Sequence, residues 1–376
     1  MLSNVHAVIL VSTFAIAIVM GAVMNKTHFC TMGGVSDWVN IGDTGRMRAW
    51  VFAMAVALAG ALVLEATGTV DLGREVFPPY RSAGFAWLRY ILGGLLFGIG
   101  MTLASGCGTR TMVRIGGGNA KSLVVLVVAA IAAYWMMWTP LWVNAFHPWL
   151  APTIVDLQRH GVPSQELSAV LAGMFGAKTS PELHLWIGAA VVAGLLWFVW
   201  KSADFRGSRD HILGGAVVGL GVAAGWWLTG GPLGQTWKDY ANFNLNVLPM
   251  RMQTQSYTNV SPMGDAVHYL LAPSNFSLVT FGMAGMAGVI VGSLVWALAS
   301  RTFRVEWFAS WGDFGHHALG GALMGVGGVL ALGCTIGQAI TGISTLAIGS
   351  VVTFFSIVIG SVVALKYQYW RISREA

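Results

Sequence analysis

The chain has 376 residues, of which 56% are hydrophobic and only 10% charged, with a formal charge of +6. A soluble domain carries about 25% charged residues, so the composition excludes a water-facing globule and implies an all-α polytopic membrane protein. The basic excess contains no Lys/Arg run of the kind that grips nucleic acid; in a membrane protein such residues mark cytoplasmic loops.

In chain order, apolar runs near the ~20 residues that cross a bilayer as a helix predict nine spans: 6–24, 49–66, 88–106, 122–139, 184–200, 211–229, 278–299, 317–333 and 344–366. The first has no basic residue before its apolar run and no A-x-A cleavage site, so it reads as a retained helix rather than a signal peptide. Two polar connections, 140–183 and 230–277, hold most of the prolines and several tryptophans, and are expected to cap one face outside the membrane. Loops after the odd-numbered spans, with the C-terminal tail, carry fourteen Lys/Arg. The opposite side carries seven, Arg74 and Arg81 among them. That bias puts the C-terminus in the cytoplasm and the N-terminus outside.

Spans 3 and 8 read LGGLLFGIGMTLASGC and LGGALMGVGGVLALGC. In register they match Gly93 with Gly320, Gly94 with Gly321, Gly98 with Gly325, Gly100 with Gly327, Gly106 with Gly333 and Cys107 with Cys334. Spans 1–4 then overlay spans 6–9, giving one transporter domain over 1–376. Its first half covers about 5–140, a connection with the extra span 141–205, and its second half about 210–370. The odd spacer makes the halves inverted in the membrane, an arrangement common in transporters with the substrate site at the repeat interface.

The glycines serve first to let helices approach closely in lipid. Packing alone does not explain the short segments after Cys30, Cys107 and Cys334, each too short to cross a bilayer. They predict helices that break within the protein and restart as half-helices, whose free N–H groups and partial positive charge favour an anion. Against the common fate of free cysteine as a small buried hydrophobe stands the placement of all three at helix breaks. Asn25, Thr27, His28, Thr31, Thr109, Arg110, Thr111, Thr335 and Gln338 lie near these breaks. Asn25, Thr31, Gly108, Thr109, Thr335 and Gln338 are the candidate substrate contacts. Arg110 and Arg114 fit anion attraction or a cytoplasmic loop equally. Asp37 and Glu65 read more simply as headgroup-level charges than as pathway charges, and His316 and His317 fall at an interface. With no CxxC or His/Cys cluster, no metal or other cofactor is expected.

On NKTHFC around Cys30 and the two Gly-Cys motifs at Cys107 and Cys334, the chain resembles the YeeE/YedE family of sulfur-compound permeases over nearly its whole length. The resemblance implies an hourglass-like membrane fold with re-entrant half-helices, in a bacterial inner membrane. It implies that Cys30, Cys107 and Cys334 line a path along which thiosulfate, or a related small sulfur anion, passes by transient thiol hydrogen bonds. It also implies a separate cytoplasmic sulfur carrier of the TusA type as a partner. The long connections depart from a minimal permease and leave the sulfur or selenium species open. Two other classes remain: a membrane thiol-disulfide oxidoreductase, which needs two thiols with Cα atoms within about 7 Å, and a structural subunit with inert thiols.

Overall fold

The computed structural model describes residues 3–73, 75–243 and 249–375; Arg74, counted above, lies outside the described residues. The helices in the first part of the chain are α1 (Ser3–Lys26), α2 (Thr31–Ile41), α3 (Gly45–Ala66), α4 (Trp87–Leu103), α5 (Gly108–Gly116) and α6 (Ala120–Trp138). After the short α7 (His147–Leu150) and α8 (Leu167–Met174) come α9 (Pro181–Trp200), α10 (Ala203–Gly207), α11 (Arg209–Gly230) and α12 (Pro232–Phe243). The chain ends with α13 (Val260–Leu270), α14 (Phe281–Ala299), α15 (Trp311–Leu330), a wide π-type turn over Thr335–Gly342 and α16 (Ile348–Glu375).

Among the described residues, nine segments are long and apolar enough to cross a membrane. Helices satisfy every backbone group internally, which lipid demands, and large apolar side chains such as Val11, Leu220, Trp197 and Phe355 point outward. The protein is a multi-pass, all-α membrane protein. Three of the nine segments, Val5–Ile41, Trp87–Gly116 and Trp311–Thr345, contain a break, and each break carries one cysteine.

The connections sort to two faces. On the basic face, Arg304 N donates to Gly117 O at 3.0 Å, and Lys121 Nζ pairs with Asp313 Oδ2 at 2.7 Å. On the loop face, Val76–Phe77 pairs with Thr254–Gln255, and Gly84–Phe85 with Val155–Asp156. That face also holds a charged clasp. The Arg81 guanidinium donates to both Glu65 oxygens at 2.6 and 3.0 Å and to Thr345 O at 2.8 Å. His184 bridges Glu166 Oε1 at 2.6 Å and Glu65 Oε2 at 3.0 Å. Burial opposes a charged Glu166, but the His184 hydrogen bond and the Arg81 charge outweigh it and hold the carboxyl at about 2. Glu65 is thus tied into protein by Arg81 and His184, and Asp37 is paired with Arg46 at 2.5 Å. His317 is buried against Asp313 while His316 is exposed.

The long connections are not wholly outside the bundle. Thr254 through Val260 are all buried, and α13 buries Asp265 completely. This part of 230–277 dives inward, where protein groups meet much of its polar surface: Thr229 Oγ1 donates to Gln255 O at 2.6 Å and Ser256 Oγ to Val222 O at 2.8 Å.

Glycine governs the centre. A Cβ at Gly327 would lie 2.6 Å from Phe97 N and 2.8 Å from Gly93 O; one at Gly100 would lie 2.8 Å from Met324 N and 2.7 Å from Gly320 O. Every atom named is backbone, so α4 and α15 touch main chain to main chain. Shifting each residue by the interval between Cys107 and Cys334 exchanges the two sets of contacts. Around them, α4 uses Gly94 against Thr353 O of α16, and α15 uses Gly321 against Val125 O of α6.

Candidate functional site

Each broken segment ends its first helix in the same way. His28, Ser105 and Leu332 take left-handed backbone (φ 51, 57 and 60°), two positions before Cys30, Cys107 and Cys334. The next residue then bonds back to close the helix: Phe29 N to Met24 O at 3.2 Å, Gly106 N to Met101 O at 2.8 Å, Gly333 N to Gly328 O at 2.8 Å. This is the six-to-one closure of a left-handed helix stop. Each cysteine follows in extended backbone as the N-cap of the next turn. Cys30 Sγ accepts from Gly33 N at 3.3 Å and Cys334 Sγ from Gly337 N at 3.4 Å, whereas Cys107 makes no such cap bond.

The thiols are free, and Cys30, Cys107 and Cys334 are 4%, 1% and 0% exposed. Cys30 and Cys107 lie within hydrogen-bonding reach of each other, and Cys334 is close enough to Cys107 to act on it electrostatically. Cys334 is met by backbone N–H groups of Asn259, Ile336 and Gly337. The starts of α2, α5 and the 335–342 turn therefore meet at one buried spot, with their unpaired N–H groups and positive ends around the sulfurs.

A fourth start joins them. Asn259, the N-cap of α13, is buried and donates from Nδ2 to Thr109 Oγ1 at 2.6 Å. The sequence reading missed it because this break holds no cysteine. The available signal was an N-cap-type Asn, Asn259, with Pro262 in the turn that follows it, inside a stretch taken for a loop. The Thr31, Thr258 and Thr335 hydroxyls, on residues 0%, 4% and 0% exposed, have no hydrogen-bond partner among the described residues. Buried polar groups are nearly always paired, so these three hydroxyls stand out beside the thiols.

Other expected contacts are committed elsewhere. Gln338 Nε2 donates to Ala331 O at 2.5 Å and its Oε1 accepts from Ser350 at 2.6 Å. Asn25 Nδ2 donates to Ser293 O at 3.0 Å and Oγ at 2.8 Å, locking α1 to α14. Thr27 bonds Val23 O, and Thr111 is buried in α5. Gly108 is buried at the start of α5, where a Cβ would approach Met263 Cε at 3.3 Å.

Access differs on the two sides. A cavity of about 540 Å³ opens on the basic face and reaches Cys30; Lys26, His28, Arg46, Arg110, Arg114, Arg304 and Glu306 are among its walls. Toward the loop face Cys334 is roofed: Tyr80 Oη donates to Gly337 O at 2.6 Å, Trp226 Nε1 to Ser344 Oγ at 2.9 Å and Thr341 Oγ1 to Tyr257 O at 2.7 Å.

Half-helices meeting nose to nose inside a membrane bundle, with a charged vestibule on one side and a seal on the other, define a membrane transporter. A family model described as sulphur transport matches residues 26–363, and the chain belongs to that family. It is similar to the thiosulfate transporter TsuA of Escherichia coli strain K12, 25% identical over 342 residues that cover 85% of this chain and 84% of that one. It is also similar to the thiosulfate transporter TsuA of Spirochaeta thermophila, 23% identical over 374 residues, 92% of this chain and 95% of that one.

Proposed function

We propose that this protein takes up thiosulfate, or a closely related small sulfur anion, through the buried meeting point of its half-helices. One observation carries the reading: three free thiols N-cap segments that converge on a single buried spot. The positive ends of those segments suit a dianion's oxygens, and the thiols offer weak donors and acceptors to its terminal sulfur. Passing the ion by hydrogen bonds rather than covalent links lets it leave as readily as it enters. The order Cys334, Cys107, Cys30 runs from the roofed side to the vestibule.

The contacts exchanged between α4 and α15 support two inverted halves, with the site between them. In this reading the basic face is cytoplasmic, the membrane is the bacterial inner membrane, and the α1 N-terminus lies outside. A separate TusA-type carrier would then receive sulfur at the basic face.

The test is uptake of sulfur-labelled thiosulfate into proteoliposomes by Cys30→Ala, Cys107→Ala and Cys334→Ala. Each is expected to lose most of its uptake while remaining monodisperse in detergent. Normal uptake by all three sinks the thiol path. A Cys30–Cys107 disulfide that forms and breaks with each turnover, detected by mass spectrometry, would favour the redox reading instead.

A further inference from the structure

The vestibule presents five cations, Lys26, Arg46, Arg110, Arg114 and Arg304 among its walls, against the single carboxylate Glu306. They are not equally engaged. Arg46 is neutralised by Asp37 at 2.5 Å. Arg114 donates to Ser105 O at 3.0 Å and stands 3.8 Å from Glu306, which is already bonded by Asn119. Arg110 is half-buried and has no hydrogen bond or ion pair to another described side chain. It sits in the first turn of α5, close enough to act electrostatically on both Cys30 and His28.

A half-buried guanidinium with no described side-chain partner, lining a cavity of about 540 Å³ that also reaches Cys30, is suited to hold an anion. Guanidinium groups bind planar pairs of oxyanion oxygens bidentately. Nothing in this set of groups distinguishes a sulfur atom from an oxygen. The selection among sulfur anions would rest on the thiols, one step further in.

We propose that the vestibule is a second anion site, distinct from the thiol constriction, in which Arg110, supported by Arg114 and Arg304, binds divalent tetrahedral oxyanions including sulfate. It rests on the thiosulfate reading only for its place on the route: the anion pauses there after Cys30. Sulfate occupies the site but does not advance to the constriction, because it has no soft terminal sulfur for the thiols. Sulfate on the basic face therefore slows thiosulfate release without being carried.

The experiment is calorimetric titration of sodium sulfate into the purified full-length protein in chloride buffer. Wild type binds sulfate. The Cys30→Ala/Cys107→Ala/Cys334→Ala triple variant binds it with the same affinity within about twofold. Arg110→Gln weakens binding by about tenfold or more, the scale of a charge-assisted bidentate contact, and Arg110→Lys recovers part of it. Absence of sulfate binding to wild type overturns the site, as does undiminished binding by monodisperse Arg110→Gln. If that variant is not monodisperse, Arg304→Gln on the exposed rim decides: a several-fold loss supports the site and unchanged affinity overturns it. Thiosulfate uptake by wild type is read separately. Uptake without sulfate binding removes only the vestibule site, and sulfate binding without uptake removes only the thiosulfate reading.

Discussion

Thr31→Val replaces a buried hydroxyl by a methyl of nearly the same shape. Thr31 is 0% exposed and its Oγ1 has no partner among the described residues. An unpaired buried hydroxyl costs about 1–3 kcal/mol, so the empty transporter should become more stable by about 1 kcal/mol or more. For a chain of this size that is roughly 2 °C in the midpoint of heat unfolding. The loaded transporter should respond in the opposite sense. A hydrogen bond to a charged acceptor contributes about 1.5–3 kcal/mol, so the thiosulfate concentration for half-maximal uptake should rise about 10- to 150-fold. The assay pairs unfolding midpoints of detergent-purified protein, with and without thiosulfate, with labelled uptake. Ligand that binds only the folded state raises the midpoint in proportion to the logarithm of its occupancy ratio, so wild type should gain more from thiosulfate than the variant. A lower midpoint in the empty variant, with a thiosulfate-induced rise equal to that of wild type, would refute the reasoning: Thr31 would then be satisfied in the protein and turned away from the substrate.

Gly100→Ala and Gly327→Ala should each cost about 1–3 kcal/mol by overpacking, and by similar amounts, because both force a Cβ against backbone of the other helix. Gly194→Ala and Gly315→Ala, with nothing within 4 Å, serve as controls; equal midpoints for all four variants would contradict the main-chain contact. For the clasp, the Glu166 carboxyl lies at about 2 against an ordinary 4.5. A depressed carboxyl stabilises the fold above its ordinary value and loses that contribution as pH falls through the depressed one. The midpoint advantage of wild type over Glu166→Gln should be full above about pH 4.5 and gone near pH 2; an advantage unchanged across that range would show that the charge contributes nothing.

Much of the architecture was legible in the residues themselves. Apolar runs of bilayer length located the spans, and the Gly-Cys endings located two of the breaks, because glycine and cysteine carry meaning wherever the fold places them. The clasp was not legible: Glu65, Arg81, Glu166 and His184 are far apart in sequence, and only tertiary packing assembles them. Asn259 escaped for a related reason, since a polar stretch looks the same whether water or protein satisfies it. Gln338 shows the opposite failure. It stands in the right place by number, yet its amide is consumed in holding the turn beside Cys334.

The convergence of half-helix starts has a bioenergetic consequence. Each start contributes roughly half a positive charge, concentrated at the buried spot where the starts meet. Positive half-helix ends in a narrow pore repel protons and metal cations, so on the proposed path hydronium, sodium and potassium would meet a barrier where the anion rests. With that path, a membrane that stores energy as voltage would hold many copies of this protein without being discharged through them.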